Sequence, residues 1–468
     1  MVHSKLVLAT ILTFVLLTGW HMPVTAGCSD IATFADSLAP QAELHVSLVG
    51  SDSTGDGTAA NPFATVQRAA QEAAAGTAIV IHSGVYAGGG LVEIEGTPTA
   101  PIWIGGAPGE TRPVIDGGSE GLHLVRAKYV IVHDLEVLNS SSNGINADDG
   151  GDCAVPTASH HLLFQRLSIH DIGGTGNQDG LKLSGIRDFW VLDCDFAHCG
   201  GGMSGSGVDM VGCHRGLIAR NRFEDMSGNA VQCKGGSTDV EILRNRMVNA
   251  GERAVSIGGS TTFEYFRPPL STTEPNTESR NIRVLANVFE GATTPVAFVG
   301  TVESVVANNT IVSPSRWVLR ILQETTSSGG YEFLPCGNNR FENNLIYFER
   351  SSISVDVNIG PDTAPETFSF SNNLWYAHDT PEASEPTLPV AETNGIYSEN
   401  PQFADAAAGD YCIGKDSPAA RRGLAPALTN EDIAGTCYRT PPSIGAYEIS
   451  GGATTPPILY LLLLASEN

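Results

Sequence analysis

Lys182, Lys234 and Arg253 are three of the few cations in a chain that has 26 Lys plus Arg against 51 Asp plus Glu. They fall at related positions of a repeated pattern that also contains Asp179 and Asp209. A lysine set among carboxylates and further cations suits β-elimination from a uronate. That reaction needs a base for the C5 proton, neutralisation of the adjacent carboxylate and a grip on neighbouring sugars. Lys182 fills the base role if burial or a nearby calcium ion lowers its pKa. Asp179 and Asp209 are candidate ligands for that ion, and Lys234 and Arg253 candidate partners for substrate carboxylates. The opposite outcome has its own physical logic: an ion pair between Lys182 and Asp209 raises the lysine pKa and spoils it as a base.

The element that must position these groups is short and recurrent. GLKLSG (Gly180 to Gly185), GVDMVG (Gly207 to Gly212), AVQCKGG (Ala230 to Gly236), AVSIGG (Ala254 to Gly259) and PVAFVG (Pro295 to Gly300) each place a variable residue between two apolar ones, with glycine following. That alternation is a strand with one buried face. Stacked at about 4.8 Å per strand, the exposed positions form a column: Asn146, Lys182, Asp209, Gln232, Ser256, Ala297. A second column runs Asn143, Asp179, Ser206, Asn229, Arg253, and a third holds Ser184, Val211, Lys234 and Gly258. Gln232 and Asn229 thereby join the candidate substrate contacts.

A further repeat marks the other side of each coil. Superposing VHDLEV, FQRLSI, LDCDF, ARNRF, LRNRM, LANVF, ANNTI, ENNLI and SNNLW aligns Asn221, Asn245, Asn287, Asn309, Asn344 and Asn373. Asparagine recurring at one turn predicts an inward ladder of side-chain amides, a stacking device rather than a catalytic set. Spacings of a few tens of residues, with almost no helical periodicity, predict a solenoid of β-coils.

Composition bounds the rest. The formal net charge of −25 argues against general nucleic-acid binding. Residues 1–26 read as a secretory signal peptide, cleaved after Ala26, which makes the protein secreted or cell-surface; a lipid anchor at Cys28 is the alternative. Nine cysteines permit disulfides. Cys412 and Cys437, both in loop-like sequence, are the expected pair, and Cys194 and Cys233 are expected as buried thiols. No Cys or His cluster has zinc spacing.

In chain order, residues 27–77 are expected to form an N-terminal strand and a capping helix, with Asn61 as N-cap and Gly76 as stop. Residues 78–377 form the β-helix, 378–450 a C-terminal extension and cap, and 451–468 an apolar tail too short to span a bilayer. An insertion between Gly259 and Arg280 carries Phe263, Tyr265 and Arg267. Inserted loops commonly line the binding face of repeat proteins, so Tyr265 and Arg267 are candidate sugar contacts.

The opening VSLVGSDSTGDGTAANPFATVQRA, the asparagine ladder and the closing NPQF, GDYCI, SPA and IGAYE segments resemble exported right-handed parallel β-helix proteins of the pectate-lyase-like class. The fold implied is all-β with an N-terminal capping helix. Locally, DGLKLSG is similar to the strand carrying the lysine base of family-nine pectate lyases, with Lys182 in that lysine's place. DDGGD (Asp148, Asp149, Asp152) has the letters of that family's calcium-binding aspartate cluster in a different register. The resemblance implies an acidic polysaccharide as partner, calcium as cofactor and a metal-assisted lyase reaction, in a chain without a transmembrane helix and acting as a monomer. A hydrolase or epimerase on the same face, or a non-catalytic glycan-binding or rod-forming surface protein, are the other readings.

Overall fold

The computed structural model describes residues 28, 31–174, 176–201 and 204–449. The expected signal peptide and the apolar tail lie outside the described residues.

Each coil lays down three short strands that pair in parallel with those of the coils before and after. One face runs through Leu122–His133, Ile145–Asp148, Leu181–Ser184, Ser206–Val211, Asn229–Lys234, Arg253–Gly258, Thr294–Val299 and Trp317–Leu322, all in parallel register. A second face includes Ser159–Gln165, Ile186–Leu192, His214–Ala219 and Ser237–Leu243. The strand Leu122–His133 turns the corner between these two faces, which together make a 23-stranded sheet, and the third face is a 12-stranded sheet. Inward residues such as Leu181, Leu183, Val208, Met210, Val231 and Cys233 are fully buried in one continuous core. At about 25 cal/mol per Å² of apolar surface removed from water, that core is the main source of stability.

The asparagine stack forms as the repeat predicts. Asn221 Nδ2 donates to Asn245 Oδ1 at 3.0 Å, and the pattern continues through Asn287, Asn309 and Asn344 to Asn373. Each amide oxygen also accepts the backbone N–H of the preceding asparagine, and each amide nitrogen also donates to a backbone carbonyl of the previous coil, as Asn309 does to Val284. The residue before each stacked asparagine is left-handed, as at Arg220 (φ 58°) and Asn343 (φ 57°), which makes the bend the amides then satisfy. Glu392 ends the column: Oε1 accepts from Asn373 Nδ2 at 2.7 Å, and Oε2 accepts from Trp375 Nε1 and Tyr397 OH.

The capping helix is shorter than expected, Val66–Glu72, with Thr65 and not Asn61 as N-cap. Phe63 is drawn into extended pairing with the first strand, its N–H donating to His45 O, and Asp52 accepts the N–H groups of Ala64 and Thr65. The helix thus starts where those contacts release the backbone. Ala69 and Ala70 close the end of the core.

The disulfide also differs from expectation. Cys437 pairs with Cys28, Cα atoms 5.6 Å apart, and Cys412 is a free thiol. The reason is the path of the ends. An N-terminal arm packs Ile31, Phe34 and Ala35 on the outside of the second face, and the C-terminal extension lays Leu428 and Tyr438 on the same apolar stripe. Cys194 and Cys233 are buried thiols, as expected.

Candidate functional site

The register places the first column as the sequence spacing requires. Lys182 lies opposite Asn146 on one side and Asp209 on the other, followed by Gln232, Ser256 and Ala297. Two members were not foreseen, because they fall outside the clearest repeats: His123, opposite Asn146, and Arg320, opposite Ala297. The second column is a hydrogen-bonded chain. Asp179 N–H donates to Asn143 Oδ1, Ser206 N–H to Asp179 Oδ1, and Asn229 Nδ2 to Ser206 Oγ.

The centre of the face is a buried charge cluster. Lys182 Nζ contacts Asp209 Oδ2 directly and lies 3.3 Å from Asp179 Oδ2; Lys234 Nζ lies 3.4 Å from Asp209 Oδ2 and donates to Gln232 Oε1 at 3.1 Å. The carboxylates are covered, with side-chain exposure of 0% for Asp209 and 1% for Asp179, whereas Lys182 keeps 18%. What a ligand meets is therefore the ammonium groups, with the carboxylates beneath. Gly185, at the end of the Lys182 strand, has φ +70°, and a Cβ there would meet Asp149 Oδ2 at 2.2 Å.

Electrostatics follows from this layering. Burial alone would lower the Lys182 pKa, but the Asp209 and Asp179 carboxylates outweigh it and hold the group charged above its ordinary range. Burial, and then the Asp209 charge, push Asp179 up to about 6. Burial works against Asp209 too, yet Lys182 and Lys234 pull it below its ordinary value. Lys182 as placed is thus an ammonium, not a base.

The remaining sequence candidates separate. Arg253 stands further along the face, bonded to Glu324 at 2.5 Å. Asp148 faces the N-terminal side, bonded to His123 Nε2 at 2.6 Å, while His123 Nδ1 lies 3.1 Å from Glu120. Arg267 is not a sugar contact: the inserted loop folds back along the turns, and its guanidinium binds Asp149 with Nε at 2.6 Å and Nη2 at 3.0 Å. Both partners are buried, so Asp149 is no metal ligand either. Phe263 packs on Tyr331 and Phe333, whereas Tyr265 is 52% exposed at the rim. Glu278 ties the loop's ends by accepting from Gly235 N–H, Thr261 and Thr325.

The calcium expectation does not fit these side chains. Lys182 and Lys234 already hold Asp179 and Asp209, Arg267 holds Asp149, and Arg126 holds Asp152 at 2.8 Å. Among the described residues no group of three or more His, Cys, Asp or Glu side chains is arranged to hold a metal ion. The ammonium groups take the place a bound cation would need.

Two oxygens flanking Lys182 are buried without a hydrogen-bond partner, Asn146 Oδ1 and Asp209 Oδ1. Two cavities lie off the strip: about 490 Å³ lined by Glu93, Arg126, Asp152 and Val155, and about 390 Å³ lined by Gln323, Phe333 and Asp362. The charge cluster itself sits on an open sheet face, a surface suited to an extended ligand. Among the described residues no helix is long and apolar enough to cross a membrane.

Comparison with known proteins agrees with the architecture. A family model described as a right-handed β-helix region matches residues 120–267. The solved structure of the pectate lyase Pel9A is similar with a TM-score of 0.55 at 14% identity, covering 88% of this chain and 98% of that one. A rhamnogalacturonan lyase is similar with a TM-score of 0.52 at 15% identity, covering 79% and 92%. No curated protein matches. Parallel register, stacked asparagines, the family-model match over residues 120–267 and the structural likeness together show that the chain has a right-handed parallel β-helix fold.

Proposed function

We propose that the protein is an exported enzyme that binds an acidic polysaccharide lengthwise along the first face and cleaves it by β-elimination. The observation that carries this reading is the ammonium of Lys182, held charged and partly exposed above two buried carboxylates, with Lys234 beside it and Arg253 further along, on a chain of net charge −25. A uronate carboxylate set against Lys182 is neutralised there, which acidifies the neighbouring C5 proton. The similar folds of a pectate lyase and a rhamnogalacturonan lyase support a carbohydrate substrate.

In this division of labour Lys182 is the electrophile and not the base: on the open face solvent water takes the C5 proton, the C5–H electron pair forms the C4–C5 double bond, and the O4 leaving group departs with a proton from solvent. For Lys182 to take the proton instead, substrate would first have to break its contacts with Asp209 and Asp179. The test is incubation with pectate, alginate and glycosaminoglycans, with and without calcium, followed by ultraviolet absorbance of unsaturated ends. Activity that survives in part in Lys182→Arg and vanishes in Lys182→Ala supports the electrophile role. Loss in both assigns the base to Lys182, because arginine cannot give up its proton. No absorbance with any substrate overturns β-elimination.

A further inference from the structure

The face continues past Arg253. Register sets Arg253 opposite Thr294, and the pairing of Val296 with Leu319 and of Ala297 with Arg320 puts Trp317 one strand beyond Thr294 in the same row. Two guanidinium groups lie over the Trp317 ring, Arg316 with Cζ 4.0 Å from the centroid and Arg320 with Cζ 4.4 Å. Arg253 adds a third cation nearby, but its charge is taken by Glu324 at 2.5 Å. Arg320 donates Nε to the neutral Asn358 Oδ1 at 3.0 Å, and among the described residues no ion pair engages Arg316 or Arg320. Burial, then the Arg253 charge, lower the Arg320 pKa, and the Glu324 and Glu252 carboxylates offset this only in part. The Thr294 hydroxyl is buried in the same row without a partner.

Such an arrangement invites an anion. A guanidinium fork matches a carboxylate in geometry and charge, and the Trp317 ring lying against both guanidinium groups holds the two forks in place. We propose that Arg316, Trp317 and Arg320 form a remote subsite for a carboxylate-bearing sugar of the same polysaccharide chain that reaches Lys182. The inference rests on the reading of the first face as an acidic-polysaccharide site and extends it. From Lys182 the first column passes Asp209, Gln232, Ser256 and Ala297 before Arg320. That is five strand steps of about 4.8 Å, or about 24 Å. No single sugar spans it. The subsite therefore selects long chains, and binding energy gained there holds the chain across the reacting centre.

Calorimetric binding of oligogalacturonates and oligomannuronates, each as trimer and decamer, tests the subsite without requiring turnover. The decamer is expected to bind about tenfold or more tightly than the trimer, as one charge-assisted contact supplies. Arg316→Ala with Arg320→Ala, and separately Trp317→Ala, should erase that advantage and leave the trimer unchanged. Arg316 is exposed, so Arg316→Ala alone keeps the test readable if the double variant fails to fold. Folded variants that bind the decamer as tightly as the unaltered protein overturn the subsite, as do trimer and decamer binding equally well. If neither oligomer binds the unaltered protein, the acidic-polysaccharide reading falls, and the subsite with it.

Discussion

Lys182 of one coil rests on Asp209 of the next, an ion pair covered from below by the core sheet and from the side by Lys234. Breaking a buried pair leaves an uncompensated charge and costs more than the pair itself contributes. Asp209→Asn is expected to destabilise the fold by about 3 kcal/mol. Replacing both partners, Lys182→Met with Asp209→Leu, should recover most of that loss. Urea unfolding of the two singles and the double is the measurement, and additive losses would show that the two groups do not act as a pair.

The pH dependence follows from the same cluster, with opposite signs. Asp179 in the folded protein holds its proton up to about pH 6, against 3.8 for an ordinary aspartate. The folded state therefore binds more protons in that interval, and this group's contribution to stability falls as pH rises from about 4 to about 6, by at most about 3 kcal/mol. Asp209 is shifted down, so its contribution is present above the ordinary value and is lost as pH falls through its lower folded value. Asp179→Asn should flatten the fall between pH 4 and 6 in denaturant midpoints. An unchanged slope would remove Asp179 as its source.

Along the asparagine stack, an interior break differs from an end break. Asn309→Ala leaves the Asn287 amide and backbone N–H without their side-chain acceptor and removes the amide that donates to Val284 O and Asn344 Oδ1. The expected cost is about 2 to 4 kcal/mol. Glu392→Gln places an amide donor against other donors on Asn373, Trp375 or Tyr397 and should cost about 1 to 2 kcal/mol. Thermal unfolding of both variants checks the order; equal losses would mean the stack is not cooperative.

Arg267 clamps the inserted loop to Asp149 across several coils. Arg267→Ala is expected to free the loop to protease while the coils stay folded. Limited proteolysis with mapping of the cut sites reads this directly, and protection equal to that of the unaltered protein would show that Glu278 alone holds the loop.

For the disulfide, mapping of unreduced peptides should link the segment containing Cys28 to that containing Cys437, with Cys412 open to alkylation after unfolding. Cys28→Ser should lower stability by about 2 to 4 kcal/mol. A linkage of Cys412 to Cys437 would overturn the pairing.

Much of the fold was legible because a solenoid repeats its instructions. Glycine after each triplet, alternation within it and asparagine at one turn are local signals read many times over, and the column through Lys182 follows from them. What escaped depends on the chain meeting itself at long range. Nothing near Arg267 announces Asp149, and nothing near Cys437 announces Cys28. His123 and Arg320 were missed for a subtler reason. They occupy the same column as Lys182, but on strands whose flanking residues depart from the repeat. The layering of the site was also hidden, since alternation marks Lys182 and Asp209 as equally outward, yet only packing decides that the long lysine covers the short aspartate.

The bond between Cys28 and Cys437 makes the protein a fixed-length object. An arm from the first coils and an extension from the last run toward each other over the same stripe and meet with Cα atoms 5.6 Å apart. One added or deleted coil would shift that meeting point by about 4.8 Å. Solenoids ordinarily grow or shrink by whole repeats. This one carries its own gauge, and a duplication that left the core sound would still fail to close.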